Sequence, residues 1–102
     1  MVTFLLRMHA LDALGSPVRR EILSTLWASP LAVGELATRF PVSRPAISRH
    51  LRVLEDAGLV VHRDHGTSSV YAVRLQGLSS VRDFLEDFWD TALSRLEELA
   101  KE

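Results

Sequence analysis

One stretch of 17 residues, 43–59 (SRPAISRHLRVLEDAGL), constrains the fold more than any other part of the chain. Ser43 followed by Pro45 is typical of a helix start, because the hydroxyl can cap the first turn and proline lacks an N–H that would stay unpaired there. Gly58 is typical of a helix end, since glycine adopts the left-handed backbone conformation at little cost. The stretch therefore predicts one helix over residues 43–57.

The predicted helix has two chemically different sides. Ile47, Leu51 and Leu54 recur at the spacing of one helical stripe and predict the buried side. An exposed face with several arginines and a hydroxyl suits a polyanionic groove, and it also fits a solvated helix surface with incidental arginines. The residues predicted on this exposed face are Arg44, Pro45, Ser48, Arg49 and Arg52.

The neighbouring segments add a second helix and a hairpin. Residues 33–40 (VGELATRF) predict a short amphipathic helix, and only two residues separate it from Ser43. Downstream, the segments LVVHRD and VYAVRL flank residues 65–69 (HGTSS), which predicts a two-stranded β-hairpin with a five-residue loop. Two helices joined by a tight turn and followed by a hairpin have the order of a winged helix-turn-helix.

At this point the sequence resembles the ArsR family of bacterial repressors. The resemblance covers residues 11–74 and is followed by a compatible terminal helix. It implies a mainly α fold with a small β-hairpin, in the order α-α-α-α-β-β-α, and a chain of 102 residues has the size of a single domain. The segments that carry it are LGSPVRREIL (14–23), VGELA (33–37), SRPAISRHLRVLEDAGLV (43–60) and the wing HGTSSVYAV (65–73).

The two ends of the chain predict a dimer interface. Residues 78–100 form a predicted helix with two neighbouring apolar stripes, and a small domain can cover hardly more than one of them. Residues 2–14 predict an apolar first helix, and the resemblance implies dimerisation through the first and last helices. The alternative is a long helix folded over its own core. The expected interface residues are Phe4, Leu5, Leu85, Phe88, Trp89, Ala92 and Leu96.

The net charge of −1 conceals an uneven distribution. Residues 39–74 contain six Arg and three acidic residues, a local charge of +3, whereas residues 78–102 contain three basic and seven acidic residues, a local charge of −4. The local field decides attraction to a nucleic acid, so the middle of the chain is expected to face it. The acidic last helix argues against binding to an anionic membrane.

No metal and no cofactor are expected. Cys is absent, which excludes disulfides and thiolate sites and fits a cytoplasmic protein. The resemblance implies metal sites built from paired Cys on the helix at 33–40, or from Asp and His on the last helix, and this chain has neither the Cys nor a His there. His62 and His65 are too few for a closed structural site, so phosphate contact or solvation is the favoured interpretation.

The sequence predicts a homodimeric DNA-binding protein and no enzyme, since no catalytic motif is present. The 43–57 helix is expected in the major groove, and the resemblance implies a repressor at a palindromic operator with an unknown effector. The alternative is a winged-helix protein-interaction module without specific DNA binding. The expected DNA contacts are Arg44, Pro45, Ser48 and Arg49 at base edges or the groove floor, Arg52 on phosphate, and Arg63 and His65 on the backbone or adjacent minor groove.

Overall fold

The computed structural model describes residues 9–101 of the protein. It confirms a mainly helical fold with a β-hairpin and adds one short strand, β1, that the sequence did not predict. The elements in chain order are α1 (residues 9–13), α2 (Pro17–Ala28), β1 (Leu31–Ala32), α3 (Val33–Ala37), α4 (Arg44–Asp56), β2 (Val60–His65), β3 (Ser68–Val73) and α5 (Leu75–Lys101).

The sheet is antiparallel throughout, in the order β1-β3-β2. The hairpin register runs from Val60 opposite Val73 to His65 opposite Ser68, which leaves a turn of two residues. Gly66 opens this turn with φ of 61°, and a two-residue turn with glycine first is of type II′. The predicted five-residue loop was therefore wrong, because this turn lets the pairing continue almost to the tip.

The helix-turn-helix differs from its prediction in one respect. α4 is as predicted: the Ser43 hydroxyl accepts a hydrogen bond of 3.2 Å from the Ala46 N–H, and Gly58 ends the helix with φ of 77°. α3, however, ends at Ala37, so six residues rather than two join the helices. The side chain of Ala32 cannot cap α3; instead the Glu35 carboxylate accepts from the Ala32 N–H at 3.2 Å.

One hydrophobic core holds the helices and the sheet together. The predicted stripe of α4 lies at its centre, with Ile47, Leu51 and Leu54 each 0 % exposed. Burial of a side chain of this size stabilises a fold by about 1.5–3 kcal/mol, so these three residues fix the rotation of α4 about its axis. The remaining large residues of the core are Ile22, Leu23, Leu26, Leu31, Leu36, Leu59, Val60 and Val81.

α5 begins at Leu75, three residues earlier than predicted, and at 1.5 Å per residue its 27 residues span about 40 Å. Its start is tied to the end of α4: the Arg74 N–H donates to the Leu59 carbonyl oxygen at 2.9 Å, and Arg74 Nη1 donates to the Gly58 carbonyl oxygen at 3.2 Å. Gly77 is buried against this backbone, whereas most of α5 beyond Val81 is exposed.

Candidate nucleic-acid interface

The outward side of α4 is exposed and basic. At about 100° per residue, Pro45, Arg49 and Arg52 project away from the buried stripe, and all five residues predicted on the exposed face are exposed. Within residues 9–101, neither Arg49 nor Arg52 has an intramolecular hydrogen bond or ion pair. Both guanidinium groups are therefore available to an external anion.

A second stripe of α4 faces the wing, the hairpin formed by β2 and β3. Arg44, Ser48 and Glu55 lie within about 40° of one another around the helix axis. Glu55 contacts β2, while Arg44 and Ser48 line a cleft shared with the wing turn. The sequence placed Arg44 and Ser48 on one face with Arg49, and the structure divides that face into a wing-facing stripe and an outward stripe.

His62 fastens the wing to α4. Its Nδ1 lies 2.6 Å from Glu55 Oε2, and its ring centroid lies 5.1 Å from that of Tyr71. The hydrogen bond and the charge of Glu55, with a smaller contribution from Asp64, hold the pKa of His62 above its usual value. His62 was expected to be solvated or to contact phosphate; it is exposed, and the structure adds a pairing with Glu55 that the sequence did not predict. The missed signal was an acid at the end of a helix followed, seven residues later, by a strand histidine.

Arg63 and His65 are exposed, but they do not join the surface of α4. Successive side chains of a strand point to opposite faces, so Arg63 and His65 project from the face of β2 opposite His62. The structure therefore brings Arg44, Ser48 and the wing turn together and leaves the two predicted basic wing residues on the far side of the hairpin.

His50 is half-buried beside the core stripe. Burial lowers the pKa of His50, and the charges of Arg19 and Arg49 lower it further. Its ring is therefore mostly neutral at pH 7, and it adds no positive charge to the interface.

Comparison with known proteins gives the same fold and a family. A helix-turn-helix domain model matches residues 14–63. The chain is 47 % identical over 91 residues to the HTH-type transcriptional regulator Rv2034 of Mycobacterium tuberculosis, covering 89 % of this chain and 85 % of the relative. It is 32 % identical to the arsenical resistance operon repressor of Staphylococcus xylosus, covering 74 % and 73 %. The solved structure of an ArsR-like transcriptional regulator from Rhodococcus sp. RHA1 superposes with a TM-score of 0.81 at 32 % identity, covering 98 % and 97 % of the two chains. The chain belongs to the ArsR family.

This ArsR-family chain shows no metal site in the part that the structure describes. Between residues 9 and 101, no three His, Asp or Glu side chains lie close enough together to hold an ion. His62 is paired with Glu55, and His65 lies on the opposite face of the same strand, so the two hairpin histidines do not converge. Over the same residues, no helix combines the length and apolar character that a bilayer crossing requires.

The predicted dimer helix leaves its apolar side chains uncovered. Of the predicted residues, Leu85, Phe88, Trp89 and Leu96 are 49–63 % exposed and Ala92 is half-buried. Phe4 and Leu5 lie outside the described residues. A monomer rarely exposes a continuous apolar surface of this extent, so the last two-thirds of α5 present a surface suited to a partner. The exposed large apolar residues of α5 are Leu75, Leu85, Phe88, Trp89, Leu93, Leu96 and Leu99.

Proposed function

We propose that this protein is a sequence-specific DNA-binding transcriptional regulator that acts as a homodimeric repressor at a palindromic operator. The observation that carries the proposal is the outward stripe of α4, where Arg49 and Arg52 are exposed and without partners in the described structure. Membership in a family of transcriptional regulators and the local charge of +3 over residues 39–74 support it. A DNA-binding role in turn favours the cytoplasm as the location.

α4 is proposed to enter the major groove with its outward stripe. Pro45 and Arg49 lie in its N-terminal half, the part that approaches base edges in helix-turn-helix docking. Arg52 lies one turn further on, where the helix surface approaches the groove wall and a phosphate. Arg63 and His65, on the far face of the wing, are proposed to contact the backbone or the adjacent minor groove.

The dimer is proposed to form through residues 2–14 and 78–100 of the single domain 1–102. The exposed apolar side chains of α5 support this, because packing two such helices together removes them from water in both subunits. A two-fold dimer presents two copies of α4, and two copies read two half-sites of opposite orientation. A palindromic operator follows from that symmetry.

A protein-interaction module without specific DNA binding is the competing function. It is less well supported, because it gives no role to an exposed arginine stripe beside a wing. Selection of binding sites from random DNA separates the two functions: a DNA-binding regulator enriches a palindrome, and an interaction module enriches no sequence.

Two substitutions on α4 then test the docking. Arg49→Ala is expected to cost about 1–3 kcal/mol per half-site on the selected operator and much less on random DNA, because a base contact carries the sequence preference. Arg52→Ala is expected to weaken both DNAs equally and to lower the salt slope by about one unit per subunit, as expected when one phosphate loses its cationic partner.

The control is Arg82→Ala, which removes an exposed guanidinium of α5 that pairs with Asp83 and Glu86 and lies outside the proposed DNA-binding surface; it should leave both affinities unchanged. Equal behaviour of Arg49→Ala and Arg52→Ala on both DNAs would contradict the docking. Failure of the wild-type protein to enrich any sequence would contradict the function itself.

A further inference from the structure

A polar cleft of about 160 Å³ lies between α4 and the wing turn. Arg44 and Ser48 form its helix side, and Thr67, Ser68 and Ser69 form its wing side. The floor is close to Gly34 of α3: a Cβ placed on this glycine would lie 3.7 Å from Arg44 Nη1, so the guanidinium rests over the backbone of α3. The cleft thus joins three elements that are separated in the sequence.

The donors in this cleft are not used by the protein itself. In the described part of the chain, Arg44 has no ion pair, and the hydroxyls of Ser48, Thr67 and Ser68 have no hydrogen-bond partner. The nearest wing acid, Asp64, is not among the lining residues; its Oδ1 accepts a hydrogen bond of 2.8 Å from Ser69 Oγ. Ser68 pairs with His65 across the hairpin and shares its far face, so the free hydroxyls available to the cleft are those of Ser48 and Thr67. One cation and two free hydroxyl donors, with no acidic side chain in the lining, make an environment for an anion.

The proposed docking brings a phosphate of the DNA backbone to the cleft. Helix α4 in a major groove and the wing in the adjacent minor groove lie on either side of one sugar–phosphate backbone, since a single backbone separates the two grooves. That backbone has to pass through the space between α4 and the wing. The cleft occupies this space.

Resting on the proposed function, we propose that the cleft binds one phosphodiester of the DNA backbone, with the Arg44 guanidinium as the cation and the free hydroxyls as neutral donors. From the sequence, Arg44 and Ser48 were expected at base edges or the groove floor, and no residue of the wing turn was expected to contact DNA. In the proposed site Arg44, Ser48 and Thr67 instead position the DNA by holding its backbone.

Substitutions in the cleft have a distinct expected pattern. Arg44→Gln should lower affinity for the selected operator and for random DNA by the same factor, and lower the salt slope by about one unit per subunit. Arg44→Lys keeps the charge and should retain the slope. Ser48→Ala and Thr67→Ala should each lower both affinities by about two- to tenfold without changing the slope, because a neutral donor releases no counterion. Ser24→Ala, an exposed serine of α2 outside the cleft, is the matched control.

A scan of the operator with single methylphosphonate replacements gives the second measurement. Neutralising the phosphate held in the cleft should weaken binding by the wild-type protein and have little further effect on Arg44→Gln, whereas other phosphates should remain important to both. If Arg44→Gln lowers the affinity for the operator but not for random DNA, Arg44 reads a base, and the proposal that it binds a phosphate is overturned. If the wild type binds the operator and no cleft substitution changes its affinity, the phosphate site is refuted but the proposed function is not. If the wild type shows no sequence preference, the proposed function itself is refuted.

Discussion

Among the glycines, Gly77 is the one where an added Cβ would meet the closest contacts, and the substitution Gly77→Ala tests how α5 is joined to the end of α4. The first turn of α5 packs its backbone directly on the end of α4. A Cβ on Gly77 would overlap the carbonyl oxygen of Gly58 and would lie 2.8 Å from the Gly58 carbonyl carbon and 3.2 Å from Leu59 Cα. All three atoms belong to the backbone, so no side chain can rotate away to make room.

The expected magnitude follows from two opposing effects. Replacing glycine by alanine inside a helix normally stabilises it by up to about 1 kcal/mol. Overpacking a site that cannot yield costs about 1–3 kcal/mol, and more where backbone must move. Because backbone atoms would have to move here, the overlap is expected to cost about 2–4 kcal/mol, which leaves a net loss of roughly 1–3 kcal/mol after the helix gain. At about 4–8 °C per kcal/mol for a domain of this size, the melting temperature should fall by roughly 5–20 °C.

The assay is thermal unfolding followed by circular dichroism, at one protomer concentration for all samples because dimerisation makes the melting temperature depend on concentration. Gly34→Ala is the matched control: it also lies in a helix, and its Cβ would meet Arg44 Nη1 at 3.7 Å, an ordinary contact. The control should melt at the wild-type temperature or slightly above it. A Gly77→Ala protein as stable as the control would show that the junction is looser than the structure indicates.

Three further predictions concern the interface helix, metals and pH. Phe88→Asp, a charge within the exposed apolar surface of α5, should give a monomer or misfolded protein in sedimentation where the wild type is a dimer at micromolar concentration; a wild-type monomer would end the proposal. Zinc, nickel or cobalt should leave operator affinity nearly unchanged, and a stoichiometric metal that shifts it tenfold would reveal a missed site. Glu55 raises the pKa of His62, and Asp64 adds to this effect. The pairing should therefore stabilise the fold fully below the unfolded pKa of about 6.5, and this stabilisation should be lost as pH rises through the raised pKa of the folded protein. His62→Gln should therefore lower the melting temperature more at about pH 6 than at about pH 8.5, and a difference that does not change with pH would contradict this role.

α4 was predictable because every local signal agreed. The Ser43 cap, the Pro45 start, the glycine at position 58 and the 3–4 spacing of the apolar residues all specify the same helix, and the structure confirms it residue by residue. The hairpin was predicted in kind but not in detail. Position 66 alone does not distinguish a two-residue turn from a longer loop, because the choice depends on cross-strand pairing that extends to His65 and Ser68.

The remaining errors involve tertiary contacts. β1 has two residues, too few to show an alternating pattern, and it forms because Leu31 pairs with Tyr71 forty residues later. α5 begins early because Arg74 is fixed to the Leu59 and Gly58 carbonyls. None of these partners is adjacent in the sequence, so local propensity gives no sign of them.

The candidate site was also only partly predictable, because its arrangement depends on contacts between α4 and the wing. Sequence periodicity separates the buried side of α4 from the exposed side, but the exposed side divides further only when the wing is present. Glu55 is then held by His62, and Arg44 shares a cleft with wing hydroxyls, while Arg49 keeps the outward position. A wing turn of hydroxyl residues adds hydrogen bonds to a phosphate without releasing counterions. On the proposed docking, the salt dependence of binding then comes mainly from the arginines of α4, and the wing turn adds affinity that high salt removes less readily.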